Sequence, residues 1–169
     1  VVVLLIRDIA DIRDKIHAQY ALATLDTNVA ITVSLHNISW DVEQKDDDGL
    51  IDVAGANPHR FTIPASWIPA GETEVLVEMV AQVHLTAFTP AGAFSVNWFV
   101  NGSVIEGRGF TREATVPIGG EVVQTAFSGP SLVEAGDILT VVLGGPGATG
   151  TLQGAATGSS TWAMVRRLG

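Results

Sequence analysis

Val75-Leu76-Val77-Glu78-Met79-Val80-Ala81-Gln82-Val83-His84-Leu85 decides the fold. Val75, Val77, Met79, Ala81, Val83 and Leu85 fall on one face of an extended chain. Glu78, Gln82, His84 and Thr86 fall on the other. That period of two is the mark of a strand with one face in a core. Leu76 and Val80, however, place apolar groups on the second face as well.

The same period recurs on both sides. Upstream, Val29, Ile31, Val33 and Leu35 alternate with Ala30, Thr32, Ser34 and His36, and Phe61 to Ile63 forms a short strand stopped by Pro64. Downstream, Phe94, Val96, Trp98 and Val100 alternate with Ser95, Asn97 and Phe99. They run into Asn101-Gly102, a pair suited to the positive φ angles of a two-residue hairpin turn, and Val104 and Ile105 begin the return. Further strands are predicted at Val122 to Phe127, Ile138 to Leu143 and Thr161 to Arg167, with a turn at Glu134 to Asp137 before the second of these. Gly144 to Ser160, rich in Gly, Ala, Ser and Thr with a weak strand near Leu152, reads as a loop within the domain. So many short strands, with turn residues every few positions, predict an all-β sandwich or barrel.

Composition narrows the functions. The chain has 169 residues, no cysteine and a net charge of −9. An acidic protein lacks the basic stripe that nucleic acid requires, so no nucleic-acid partner is expected. Without cysteine there are no disulfides, thiol nucleophiles or thiolate zinc sites. Only 16% of residues are charged, against 47% hydrophobic, below the ~25% charge typical of soluble domains. No apolar run approaches the ~18 residues of a spanning helix; the longest candidate, Val1 to Ile6, ends at Arg7 and Asp8. Seven per cent aromatic residues do not supply the girdles of a membrane barrel. Membrane insertion is not expected, and the apolar surplus is assigned to contact between copies of the chain.

The first residues follow a different period. Val2, Leu5, Ile9, Ile12, Ile16 and Gln19 recur at alternate spacings of three and four, the seam of a coiled coil. Isoleucine at both seam positions favours trimers or tetramers over dimers, making Leu5, Ile9, Ile12 and Ile16 a candidate trimer seam. The alternatives are an amphipathic helix packed on its own domain or an extended arm. Residues 1–27 are accordingly read as a docking or trimerisation segment and 28–169 as the β domain.

Chemistry-bearing motifs are sparse. Asp46-Asp47-Asp48-Gly49 with Asp52 is the densest carboxylate cluster, and Asp46, Asp48 and Asp52 are weak candidates for a cation. The helix–loop–helix calcium pattern fails, because Gln44 stands at its first ligand position and Gly55 where the bidentate acid belongs. An acidic turn is the preferred reading, with no metal or cofactor expected. The four histidines show no metal-binding spacing, and no nucleophile elbow, phosphate-binding loop or dinucleotide fingerprint occurs. Nothing argues for an enzyme. His84, beside Gln82 on the second strand face, could meet a symmetry mate or face water.

Taken in order, the landmarks have a likeness. Ser39-Trp40-Asp41-Val42-Glu43, then Asp48-Gly49-Leu50-Ile51-Asp52, then Asn57-Pro58-His59-Arg60-Phe61-Thr62-Ile63-Pro64 resemble the opening of the C1q/TNF-like jelly rolls of bacteriophage virion proteins. The long strand 75–85, the Asn97 to Gly102 strand end, Leu132 to Val142 with Ala135-Gly136-Asp137 inside it, and the closing Trp162 to Gly169 follow in the same order. The resemblance implies a ten-strand, two-sheet sandwich assembled as a homotrimer, with residues 28–169 as the domain. Strands apolar on both faces suit such an assembly, so Leu76, Val80, His84, Phe99, Trp162 and Met164 are the candidate trimer interface of the sandwich. What the resemblance implies for function is a virion-surface decoration, cement or head-fibre protein, docked on a major capsid protein or another virion protein. The alternative is a tail-fibre tip binding host-surface glycan.

Overall fold

A computed structural model describes residues 19–46, 48–104, 109–110, 112–155 and 161–168. Among them the chain forms twelve strands: β1 (Tyr20–Thr24), β2 (Val29–Asn37), β3 (Val42–Asp46), β4 (Phe61–Thr62), β5 (Glu74–Thr89), β6 (Gly92–Val100), β7 (Ser103–Val104), β8 (Gly109–Phe110), β9 (Arg112–Val116), β10 (Val122–Glu134), β11 (Ile138–Leu152) and β12 (Trp162–Arg167). A 3-10 turn, Ala65–Trp67, follows Pro64. The candidate seam Leu5, Ile9, Ile12 and Ile16 lies outside the described residues.

All pairings are antiparallel. One sheet runs β3-β1-β12-β5-β10, with β8 on the far side of β10. The second runs β2-β11-β6-β9, with β4 also on β11 and β7 folded back on β6. The sheets join at one corner, where the end of β5 pairs with the end of β11 through Leu85↔Leu152, Thr86↔Thr151 and Thr89↔Thr149. The fold is thus an all-β, two-sheet sandwich.

The alternation in β5 holds throughout its centre: Val75, Val77, Met79, Ala81, Val83 and Leu85 are buried, at 3% exposure or less. Facing them from the second sheet are Phe94, Val96, Trp98, Leu139, Val141 and Leu143. Three rings knit the closed end of this core. Phe61 meets Trp40 edge-on at 6.3 Å and Trp98 at 5.9 Å. Such pairs add to the area they bury, because the positive ring edge meets a negative ring face.

Polar side chains fix the turns. Asn101 sits at φ 51° and Gly102 at φ 79°, the hairpin geometry that their sequence predicts. Asn101 Nδ2 donates to Asp137 Oδ1 at 2.7 Å, the Ile138 amide donates to Asn101 Oδ1, and the Glu134 amide donates to Asp137 Oδ2. This clip ties the β6–β7 hairpin to the β10–β11 turn. Asn101→Ala removes two of these bonds and puts alanine at positive φ. A loss of about 2 kcal/mol is expected in urea titration.

Two expectations need correction. Residues 144–152 are not a loop. β11 continues through them, with an irregularity between Gly144 and Ala148, to pair with β2 and then β5. Glycine suits the close approach there: a Cβ on Gly144 would lie 2.6 Å from Ser95 Oγ, and one on Gly150 2.8 Å from Leu85 Cδ1, so either would displace that side chain. The domain also begins earlier than residue 28. β1 is an interior strand between β3 and β12, so Tyr20–Thr24 belongs to the sandwich rather than to a separate segment 1–27.

His36, on β2, is half-buried, and loss of solvent lowers its pKa below the ordinary 6.5. The unfolded chain therefore binds a proton on His36 that the folded one resists. Stability is retained above pH 6.5 and falls as the pH drops below it. Thermal melts from pH 7.5 to 5 should show this decline, reduced in His36→Gln.

Candidate functional site

The outer face of the β3-β1-β12-β5-β10 sheet is built from residues alternate to the core. Register aligns them in rows across the strands. Leu22, Met164, Val80 and Phe127 form one continuous row through β1, β12, β5 and β10. On one side lies Thr24-Trp162-Gln82-Thr125, then His84 opposite Val123. On the other lies Tyr20-Arg166-Glu78, then Leu76 opposite Leu132. Leu22, Met164, Val80, Phe127, Trp162 and Leu76 are each only half-buried, and Val123 and Leu132 are 54% exposed.

This face is apolar across its middle and polar in ordered places. Arg166 donates to Glu78 across β12 and β5, so the charged row is internally neutralised. Lys45 Nζ stands 4.2 Å from the Tyr20 ring centre at the β3 edge. Isolated exposed leucines are ordinary, whereas a contiguous patch spanning four strands is the mark of a contact surface.

The structure brings together five of the six residues predicted for the sandwich contact: Leu76, Val80, His84, Trp162 and Met164. It separates Phe99 from them. Phe99 lies on β6 opposite Thr140 and Val104, in the other sheet. Alternation placed it away from the core correctly, but the faces it and Val80 occupy point away from each other. Leu22 and Phe127 complete the row and had no signal of their own, since each is adjacent to Val80 or Met164 only through pairing.

His84 does not face water. It is 5% exposed, its Nε2 lies 2.6 Å from Glu121 Oε1, and its Nδ1 is buried without a hydrogen-bond partner. Its backbone amide is bound by Thr161 Oγ1. His84 therefore marks the closed margin of the face.

Two carboxylates of the acidic cluster make hydrogen bonds within the fold. Asp46 accepts from the Leu50 and Ile51 amides at 2.8 and 2.7 Å, and Asp48 Oδ2 accepts from Trp67 Nε1 at 2.8 Å. The Asp52 carbonyl accepts from the Gly55 amide, closing a turn. Among the described residues, no group of three His, Asp or Glu side chains converges on a cation position. The carboxylates of Asp46 and Asp48 thus each hold a neighbouring segment in place.

No family model and no curated sequence matches the chain. Solved structures do. The chain is similar to murine APRIL at pH 5.0, with 14% identity over 88% of this chain and 99% of that one and a TM-score of 0.55. It is also similar to Eiger TNF from S. frugiperda, with 12% identity over 90% and 93% of the two chains and a TM-score of 0.52. At such identities the likeness establishes the architecture: a TNF-like jelly roll.

Proposed function

We propose that this chain is a non-enzymatic structural and binding module that works as a homotrimer, its copies packed through the outer face of the β3-β1-β12-β5-β10 sheet. The observation that carries this reading is the Leu22-Met164-Val80-Phe127 row, flanked by Trp162 and Leu76. In a chain of net charge −9, repulsion between copies opposes association. A face whose charges are already paired is the part of the surface where it opposes least. An apolar row on a sheet face has only another surface to bury against, and a second and third copy supply it.

The setting we propose is the surface of a bacteriophage particle, as a capsid decoration, cement or head-fibre protein. The colinear landmarks from Ser39 to Gly169 support it. Deleting the gene and imaging the particles tests this role. Capsids that lack a surface feature or lose integrity support it. Intact, fully decorated particles that fail to adsorb would replace it with a tail-fibre role.

A further inference from the structure

On the opposite side of the sandwich, the outer face of the β2-β11-β6 sheet carries an open recess of about 460 Å³. Phe99, Thr140 and Asn37 line it, and the β3–β4 connection adds His59 and Arg60. A second recess of about 280 Å³ adjoins it, and Arg60 and Ile138 line both. The first volume falls within the range of small-ligand sites.

The guanidinium is held in place before any ligand arrives. Arg60 Nε donates to His59 Nε2 at 3.2 Å. Partial burial and the adjacent Arg60 charge both lower the His59 pKa, keeping the ring neutral and able to accept that bond. The backbone beneath is also tied down: the Arg60 amide donates to the Asn57 carbonyl, and the Trp40 amide to the Pro58 carbonyl. Among the described residues no carboxylate pairs with Arg60, although the chain carries twice as many acids (18) as Lys and Arg (9). An oriented, unpaired guanidinium presents a fork of donors matched to a carboxylate. Beside it stand a half-buried phenyl ring, an amide and a hydroxyl, which suit the apolar face and hydroxyl edge of a sugar ring.

We propose that this recess binds an acidic saccharide, its carboxylate on Arg60 and its ring against Phe99. The site is complete within one chain and independent of the contact face. It therefore stands whether or not the copies assemble as proposed above.

Saturation-transfer NMR with methyl β-D-glucuronide and methyl β-D-glucoside tests it, since the two differ only at the carboxylate. The glucuronide should bind about tenfold more tightly. Arg60→Met should abolish that preference, and Phe99→Ala should weaken the glucuronide while keeping the fold by circular dichroism. Equal binding of the two sugars, or a preference that survives Arg60→Met, would overturn the proposal. So would acetate or N-acetylglycine competing as effectively as the glucuronide, because a bare carboxylate would then be the ligand.

Discussion

Val80→Asp is expected to turn the assembled protein into a folded single chain. Val80 sits at the middle of the Leu22-Met164-Val80-Phe127 row and is only half-buried within its own subunit. Its strand already carries Glu78 and Gln82 on that face, so an aspartate there is compatible with β5 as it stands. In an assembly the same carboxylate is pressed against apolar surface of another copy, and Arg166, the cation on the neighbouring row, is already committed to Glu78. An uncompensated buried charge costs roughly 3–5 kcal/mol, and each subunit of a trimer contributes one. Sedimentation should show the small species alone, and the melting curve of that species should remain cooperative. Phe99→Asp, on the other sheet, should leave the mass unchanged, which separates the chosen face from exposed apolar residues in general.

Phe61→Ala is expected to be the most damaging single change to the sandwich itself. Phe61 is fully buried, pairs with Leu139 in β11, and makes edge contacts to both Trp40 and Trp98. The main chains beside the gap are fixed, Trp40 by its amide bond to the Pro58 carbonyl and Trp98 by its pairing with Val141, so only side-chain rearrangement can fill it. A loss of about 3–5 kcal/mol follows from the removed ring and the cavity it leaves. For a domain of this size the midpoint of thermal unfolding should fall by about 10 °C. A fall of one or two degrees would mean that the ring cluster does not close the core as described.

Much of this architecture was legible because one face of each long strand is buried. The 75–85 alternation and the 94–100 alternation translate directly into core and outer positions, and Asn101-Gly102 into the hairpin. What stayed hidden depends on pairing between distant segments. Tyr20-Ala21-Leu22-Ala23-Thr24 contains good helix formers and follows a helical repeat, yet β12 and β3 draw it into a sheet. Arg112 to Val116, which pairs with β6, is five residues long and opens with two charges, too short an alternation to read as a strand. The second half of β11 looks like a loop because glycine is depleted from strands. Here the Ser95 and Leu85 side chains lie so close to Gly144 and Gly150 that any larger residue would have to displace them.

The contact face shows the same division. Leu76, Val80, Trp162 and Met164 could be chosen as apolar residues on a second face. The sheet to which each second face belongs is a property of strand order, which sets Phe99 on the other sheet and brings Leu22 and Phe127 into the row. His84 looked available for the same reason; only the fold brings Glu121 and Thr161 to it. The Arg60 recess was invisible for a further reason, since its walls come from β2, β6, β11 and the connection before β4.

The central claim is that the β3-β1-β12-β5-β10 face is buried between copies. Light scattering on the wild-type chain measures this most directly. Three copies of a 17.7 kDa chain give a particle of about 53 kDa, which should persist on dilution and on raising the salt. A particle of 17.7 kDa at all concentrations would contradict the account.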